Sequence, residues 1–218
     1  MTNSLTIFDL IEIKTESWIS QEKKNNKSAI GSLVNYINSK KKLREPQLKA
    51  IEVYLWIKFV GNNQKLSEIV KQGLLYDDEK AKEYNYYQNF KDNYVTQFLN
   101  QFCQDNNLKN LQDFLLNDPQ GLENDWNKFL EELLHNFDYS NYLFSLPMGA
   151  GKTFLMAAFI YIDFYFALIN KSDNRFAHNF VVFAPSASKT AILPSLQLLK
   201  ILILPGYYRN KNPKDLKE

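Results

Sequence analysis

Between residues 28 and 60 the apolar positions Leu33, Tyr36, Ile37, Leu48, Ile51, Leu55 and Phe59 recur at helical spacing, which predicts two helices meeting near Leu43-Arg44-Glu45-Pro46. Pro46 suits the first turn of the second helix, where a missing N–H costs nothing. Further helical patterns cover roughly residues 66–75, 80–105, 108–116 and 122–137, and Asn117-Asp118-Pro119-Gln120-Gly121 separates the last two. After Phe137 short runs rich in aromatic and β-branched residues alternate with long helical ones. Tyr142-Leu143-Phe144-Ser145 predicts a buried strand, residues 151–170 a helix, 179–184 a second strand and 188–204 a second helix, with a polar connection at 170–175. The expected fold class is therefore α/β, a parallel βαβ unit preceded by a mostly α-helical segment.

Composition narrows the class. With 218 residues and 45% apolar content the chain can bury a core, and its 7 glycines are few enough that each carries information. Lys plus Arg number 26 against 24 Asp plus Glu, so electrostatics alone announces no partner. Cys103 is the single cysteine, which excludes an internal disulfide and fits a cytoplasmic setting. The start of the chain has no signal-peptide pattern. Its longest apolar stretch, 154–169, is interrupted by Asp163 and falls short of the ~20 residues of a membrane span, so a buried helix and no membrane partner are expected. His135 and His178 with one cysteine cannot make a four-ligand zinc site. Lys40-Lys41-Lys42 with Arg44 reads as a solvated helix end sooner than as a nucleic-acid backbone contact, and the aromatics from Tyr84 to Tyr94 as helix packing sooner than as base-stacking platforms.

Binding a polyphosphate takes inward-pointing backbone N–H groups, a helix N-terminus, a cation and a hydroxyl for magnesium. The run Met148-Gly149-Ala150-Gly151-Lys152-Thr153 lies between a predicted strand and a predicted helix and supplies all four. Gly149 and Gly151 permit the tight turn, Lys152 is the catalytic candidate that reaches the β- and γ-phosphates, and Thr153 is the candidate Mg²⁺ ligand. The strict pattern has Gly or Ala six positions before the lysine, where this chain has Leu146.

Two further pieces point the same way. The second predicted strand runs Val181-Val182-Phe183-Ala184-Pro185-Ser186 into a helix start, and strands of a doubly wound sheet present ligand sites at their carboxyl ends. Upstream, Arg44-Glu45-Pro46-Gln47 carries a glutamine whose amide can pair with the N6 and N7 edge of adenine. Together with Pro147-Met148-Gly149-Ala150-Gly151-Lys152-Thr153, these resemble the motifs of superfamily 2 helicases and translocases, most of all the ATPase subunits of type III restriction enzymes and related bacterial defence helicases. The resemblance covers residues 43–50 and 142–196. It implies a partial RecA-like lobe over 141–206, an adenine-sensing helix at 43–60 with Arg44 and Gln47, and a helical insertion at 61–140. Outside these lie a helical lead-in at 1–42 and a tail at 207–218. It implies ATP and Mg²⁺ as cofactors. Pro185, Ser186, Ser188 and Lys189 would touch the sugar-phosphate backbone of DNA or RNA, since hydroxyls and a helix N-terminus read phosphate without reading sequence.

A motor of this family also needs an apolar strand ending in Asp-Glu and arginines from a second ATPase-like lobe. Neither follows Leu204, and Asp77-Asp78-Glu79 lies upstream in a turn-flanked region. The residues thus read as the N-terminal piece of a longer motor, inactive in hydrolysis alone, whose partners would include the rest of the motor and a nuclease or modification subunit. A non-hydrolysing nucleotide-binding regulatory module stays open, as does a protein-docking role for the helical region.

Overall fold

Helices carry all the regular structure among the described residues of the computed structural model, which are 7–40, 43–75, 94–105, 109–117, 128, 130, 131, 134, 139–147, 149–182 and 197. In chain order they are α1 (Ile7–Lys24), α2 (Ala29–Lys40), α3 (Glu45–Phe59), α4 (Leu66–Lys71), α5 (Tyr94–Asp105), α6 (Lys109–Asn117) and α7 (Lys152–Ile169). The chain forms two compact units, one of residues 1–17 and 59–143, the other of 18–58 and 144–218.

In the first unit α5 packs on α4 and α6. Ile69, Val70, Val95, Phe98, Leu99, Cys103 and Leu130 make its core. Lys71 reaches Glu68 at 3.2 Å and Glu131 at 2.6 Å. Burial pushes the Cys103 thiol up to about 11, so the sulfur stays protonated and acts as a small apolar group.

The second unit is built on α3 and α7. Helix α3 buries residues around most of its circumference, including Ile51, Leu55 and Trp56, and burying each such side chain is worth about 1.5–3 kcal/mol. Helix α7 buries Phe154, Leu155, Ala158, Tyr161, Ile162 and Phe166 at helical spacing. The two meet through Tyr54 and Phe159, stacked with ring centroids 4.2 Å apart. Ser28 caps α2, its hydroxyl oxygen accepting from the Gly31 N–H at 3.2 Å, and a Cβ at Gly31 would stand 2.8 Å from the Glu22 carbonyl. Lys23 pairs with Glu52 of α3 at 2.5 Å. Helix α7 has 18 residues and mean hydropathy 1.6, long and apolar enough to cross a membrane by length and composition, with half of them buried within the protein. Lys152 and Thr153 extend it past the apolar run that the sequence reading took as too short.

The expected α/β class, with a parallel βαβ unit forming a partial RecA-like P-loop lobe after a helical segment, is corrected: the described residues contain helices and no strand. The described residues of both predicted strands, 142–145 and 179–182, have no regular structure. Burial does alternate from Tyr142 through Phe144 to Leu146, with Leu143 and Ser145 exposed, but a strand also needs a hydrogen-bonded neighbour. Residues 179–182 are exposed and likewise unpaired in any ladder, and the rest of that predicted strand lies outside the described residues.

Candidate functional site

Residues 149–151 turn the chain into α7. The Ala150 N–H donates to the Pro147 carbonyl at 3.2 Å, and Gly149 and Gly151 adopt φ of 75° and 79°. Those left-handed values are cheap for glycine and cost other residues about 1–2 kcal/mol each. Gly151 is the N-cap of α7, and having no side chain it offers the helix start no capping oxygen. The N–H groups of Phe154 and Leu155 go to the Gly151 carbonyl at 3.0 and 3.2 Å, while Gly151, Lys152 and Thr153 precede them at the positive end of the helix dipole.

The start of α3 grips this turn from its carbonyl side. The Gln47 amide nitrogen donates to the Gly151 carbonyl at 3.2 Å, and the Arg44 guanidinium donates to the Gly149 carbonyl. At the same time the Gln47 amide oxygen accepts from the Arg44 backbone N–H at 3.0 Å, capping the first turn of α3. Gln47 is 4% exposed, and Arg44 is exposed. The two residues the resemblance assigned to adenine thus stand beside the glycine turn at 149–151, more than a hundred positions away along the chain.

Lys152 is exposed and Thr153 half-buried on the first turn of α7. Lys152 also borders a cleft of about 500 Å³ whose walls include Tyr54, Phe144, Leu155, Phe159 and Val181. Asp163 stands on the cleft floor with a set of partners that sequence reasoning missed. Its carboxylate accepts from the Tyr54 hydroxyl at 2.7 Å, Lys58 Nζ at 3.2 Å and the Ala177 N–H at 3.0 Å. Lys58 donates again to the Arg175 carbonyl at 2.7 Å, and its ammonium lies 5.3 Å from the Tyr54 ring centroid. Burial, then the Asp163 charge, drive the Tyr54 hydroxyl upward from its usual value, so it stays a donor. The signal available in the sequence was a lone Asp inside an apolar helix, because a buried charge requires a partner.

Among the described residues no group of three or more His, Cys, Asp and Glu could hold a metal ion. Met148, Pro185, Ser186, Ser188 and Lys189 lie outside the described residues, as do His135 and Asp77-Asp78-Glu79. His178 is exposed, and Lys40 stands 5.0 Å from the Tyr36 ring centroid. Compared with known protein families, curated proteins and solved structures, the chain matches none.

Proposed function

We propose that residues 149–153 bind the terminal phosphates of ATP with Mg²⁺, as the nucleotide site of a nucleic-acid-stimulated helicase or translocase of the superfamily 2 type. One observation carries this reading: two glycines in left-handed conformations lead straight into an uncapped 18-residue helix whose first residues are Lys152 and Thr153. Backbone amides at such a helix start attract anions, the exposed Lys152 ammonium adds a full positive charge, and the Thr153 hydroxyl is a hard oxygen ligand suited to magnesium. The residues present therefore fit a magnesium nucleotide. Magnesium would neutralise phosphate charge, completed by phosphate oxygens and water, since it retains several waters and takes few protein ligands.

In the motor reading Pro185, Ser186, Ser188 and Lys189 touch the backbone of a DNA or RNA strand, and the protein works in the cytoplasm with a second ATPase-like lobe and no membrane. The test is ATP turnover by the full-length protein with and without DNA. Stimulation by DNA that Lys152→Ala abolishes is the expected result, whereas equal turnover in parent and variant overturns the proposal. Nucleotide binding without any DNA effect would favour the regulatory module.

A further inference from the structure

Resting on that nucleotide-site reading, we infer that Gln47 is a positioning residue that aims the phosphate-binding amides from behind, and that it does not read the adenine edge. Both ends of the Gln47 amide hold backbone groups of the protein. Its oxygen holds the Arg44 N–H at 3.0 Å, its nitrogen holds the Gly151 carbonyl at 3.2 Å, and the side chain is 4% exposed. A base would have to reach a buried amide whose two ends are already engaged by backbone.

The geometry of the trans peptide says what this engagement accomplishes. Across a planar trans unit the carbonyl and the following N–H point in opposite directions. Holding the Gly151 oxygen against Gln47 therefore turns the Lys152 N–H away from α3. Arg44 holds the Gly149 oxygen, and the N–H that follows it, that of Ala150, goes to the Pro147 carbonyl, so Arg44 fixes the turn while Gln47 aims the Lys152 N–H. Close fit supports the brace: a Cβ at Gly151 would stand 2.4 Å from the Gln47 amide nitrogen, whereas a Cβ at Gly149 would meet nothing within 4 Å. Gln47 thus seats against one glycine of the turn and leaves the side of the other open. A brace of this kind acts on whatever phosphates the amides hold and is indifferent to the base they carry.

The experiment is calorimetric titration of the parent, Gln47→Glu and Lys152→Ala with Mg-ATP, Mg-GTP and inorganic tripolyphosphate. Gln47→Glu keeps an acceptor for the Arg44 N–H but sets an oxygen against the Gly151 carbonyl. The expected result is a weakening of all three ligands by a common factor of about tenfold, with the ATP-to-GTP ratio unchanged. Selective loss of ATP with tripolyphosphate unaffected makes Gln47 an adenine reader and overturns the inference, as does parent-like binding of all three. Absence of binding in the parent, or parent-like binding by Lys152→Ala, defeats the nucleotide-site reading itself. The brace keeps a ligand-free test: Gln47→Glu should shift the Lys152 amide resonance, and an unmoved resonance in a folded variant excludes it.

Discussion

The two ends of the contact between α3 and α7 are built on opposite principles. At the far end Asp163, Lys58, Tyr54 and the backbone of 175–177 form a closed set in which donors and acceptors face one another, with Asp163 2% and Lys58 7% exposed. At the near end the Arg44 guanidinium and the Gln47 amide nitrogen donate to the Gly149 and Gly151 carbonyls, and the helix start has no side-chain cap. One end satisfies its polar groups internally, and the other leads into a helix start that no side chain caps. The difference teaches where stability and ligand chemistry sit on the same pair of helices: a helix start left without a cap forgoes about 1 kcal/mol, and a bound anion recovers it.

The sharpest way to break the comparison is at the closed end. Asp163→Ala would leave the Lys58 ammonium buried beside a single carbonyl, with an expected loss of about 3–5 kcal/mol in a denaturant titration. The double variant Lys58→Met, Asp163→Leu should recover more than half of that, because it removes both charges. A double variant as unstable as the single one would mean that the pair does more than neutralise itself. Neither change should matter to phosphate contacts beyond what instability costs.

At the open end Lys152→Ala should leave the melting temperature near that of the parent, since the side chain is exposed. Mg-ATP binding should fall by about a hundredfold, or about 2.8 kcal/mol. The glycines come next. Gly149→Ala costs the strain of a positive φ, about 1–2 kcal/mol, and Gly151→Ala adds to the same strain the displacement of the Gln47 amide nitrogen, 2.4 Å from the new Cβ, from its hydrogen bond to the Gly151 carbonyl. Thermal melts should therefore rank Gly151→Ala below Gly149→Ala, and the reverse order would remove Gln47 from the turn.

The smallest expected effect concerns pH. Arg175 donates to Asp173 through both Nε and Nη2, at 2.9 and 2.7 Å, and its guanidinium holds the Asp173 carboxyl below the ordinary value of 3.8. A depressed carboxyl stabilises the fold fully above the unfolded value and loses that contribution as pH falls through the lower folded one. For a partly exposed pair of near neighbours the contribution is under about 1 kcal/mol. Parent and Asp173→Asn should differ in stability above pH 4 and converge in more acid solution.

Much of this arrangement was legible in the chain itself, and the illegible part has a physical cause. Helix α7 was expected at 151–170 and runs Lys152–Ile169, because Gly151 stops the pattern at one side and a polar Asn170-Lys171-Ser172 run at the other. The paired helices around Pro46 were legible for the same reason: helical period and end signals are local. The strand at 142–145, and the described part 179–182 of the second, were misread because alternation and β-branched content report which side of a chain is buried, whereas a strand exists only by bonding to another. Arg44, Gln47 and the loop at 149–153 were singled out as residues, yet their shared hydrogen bonds and the Lys58–Asp163 pair span more than a hundred positions that no local pattern encodes.

The central claim, that amides of the 149–153 turn grip phosphate, is tested most directly by following backbone N–H resonances during titration with Mg-ATP. Saturable shifts largest at Gly151, Lys152 and Thr153, reproduced by inorganic tripolyphosphate, are the predicted result. Saturation with those resonances unmoved, or no shift anywhere at millimolar ligand, would contradict it.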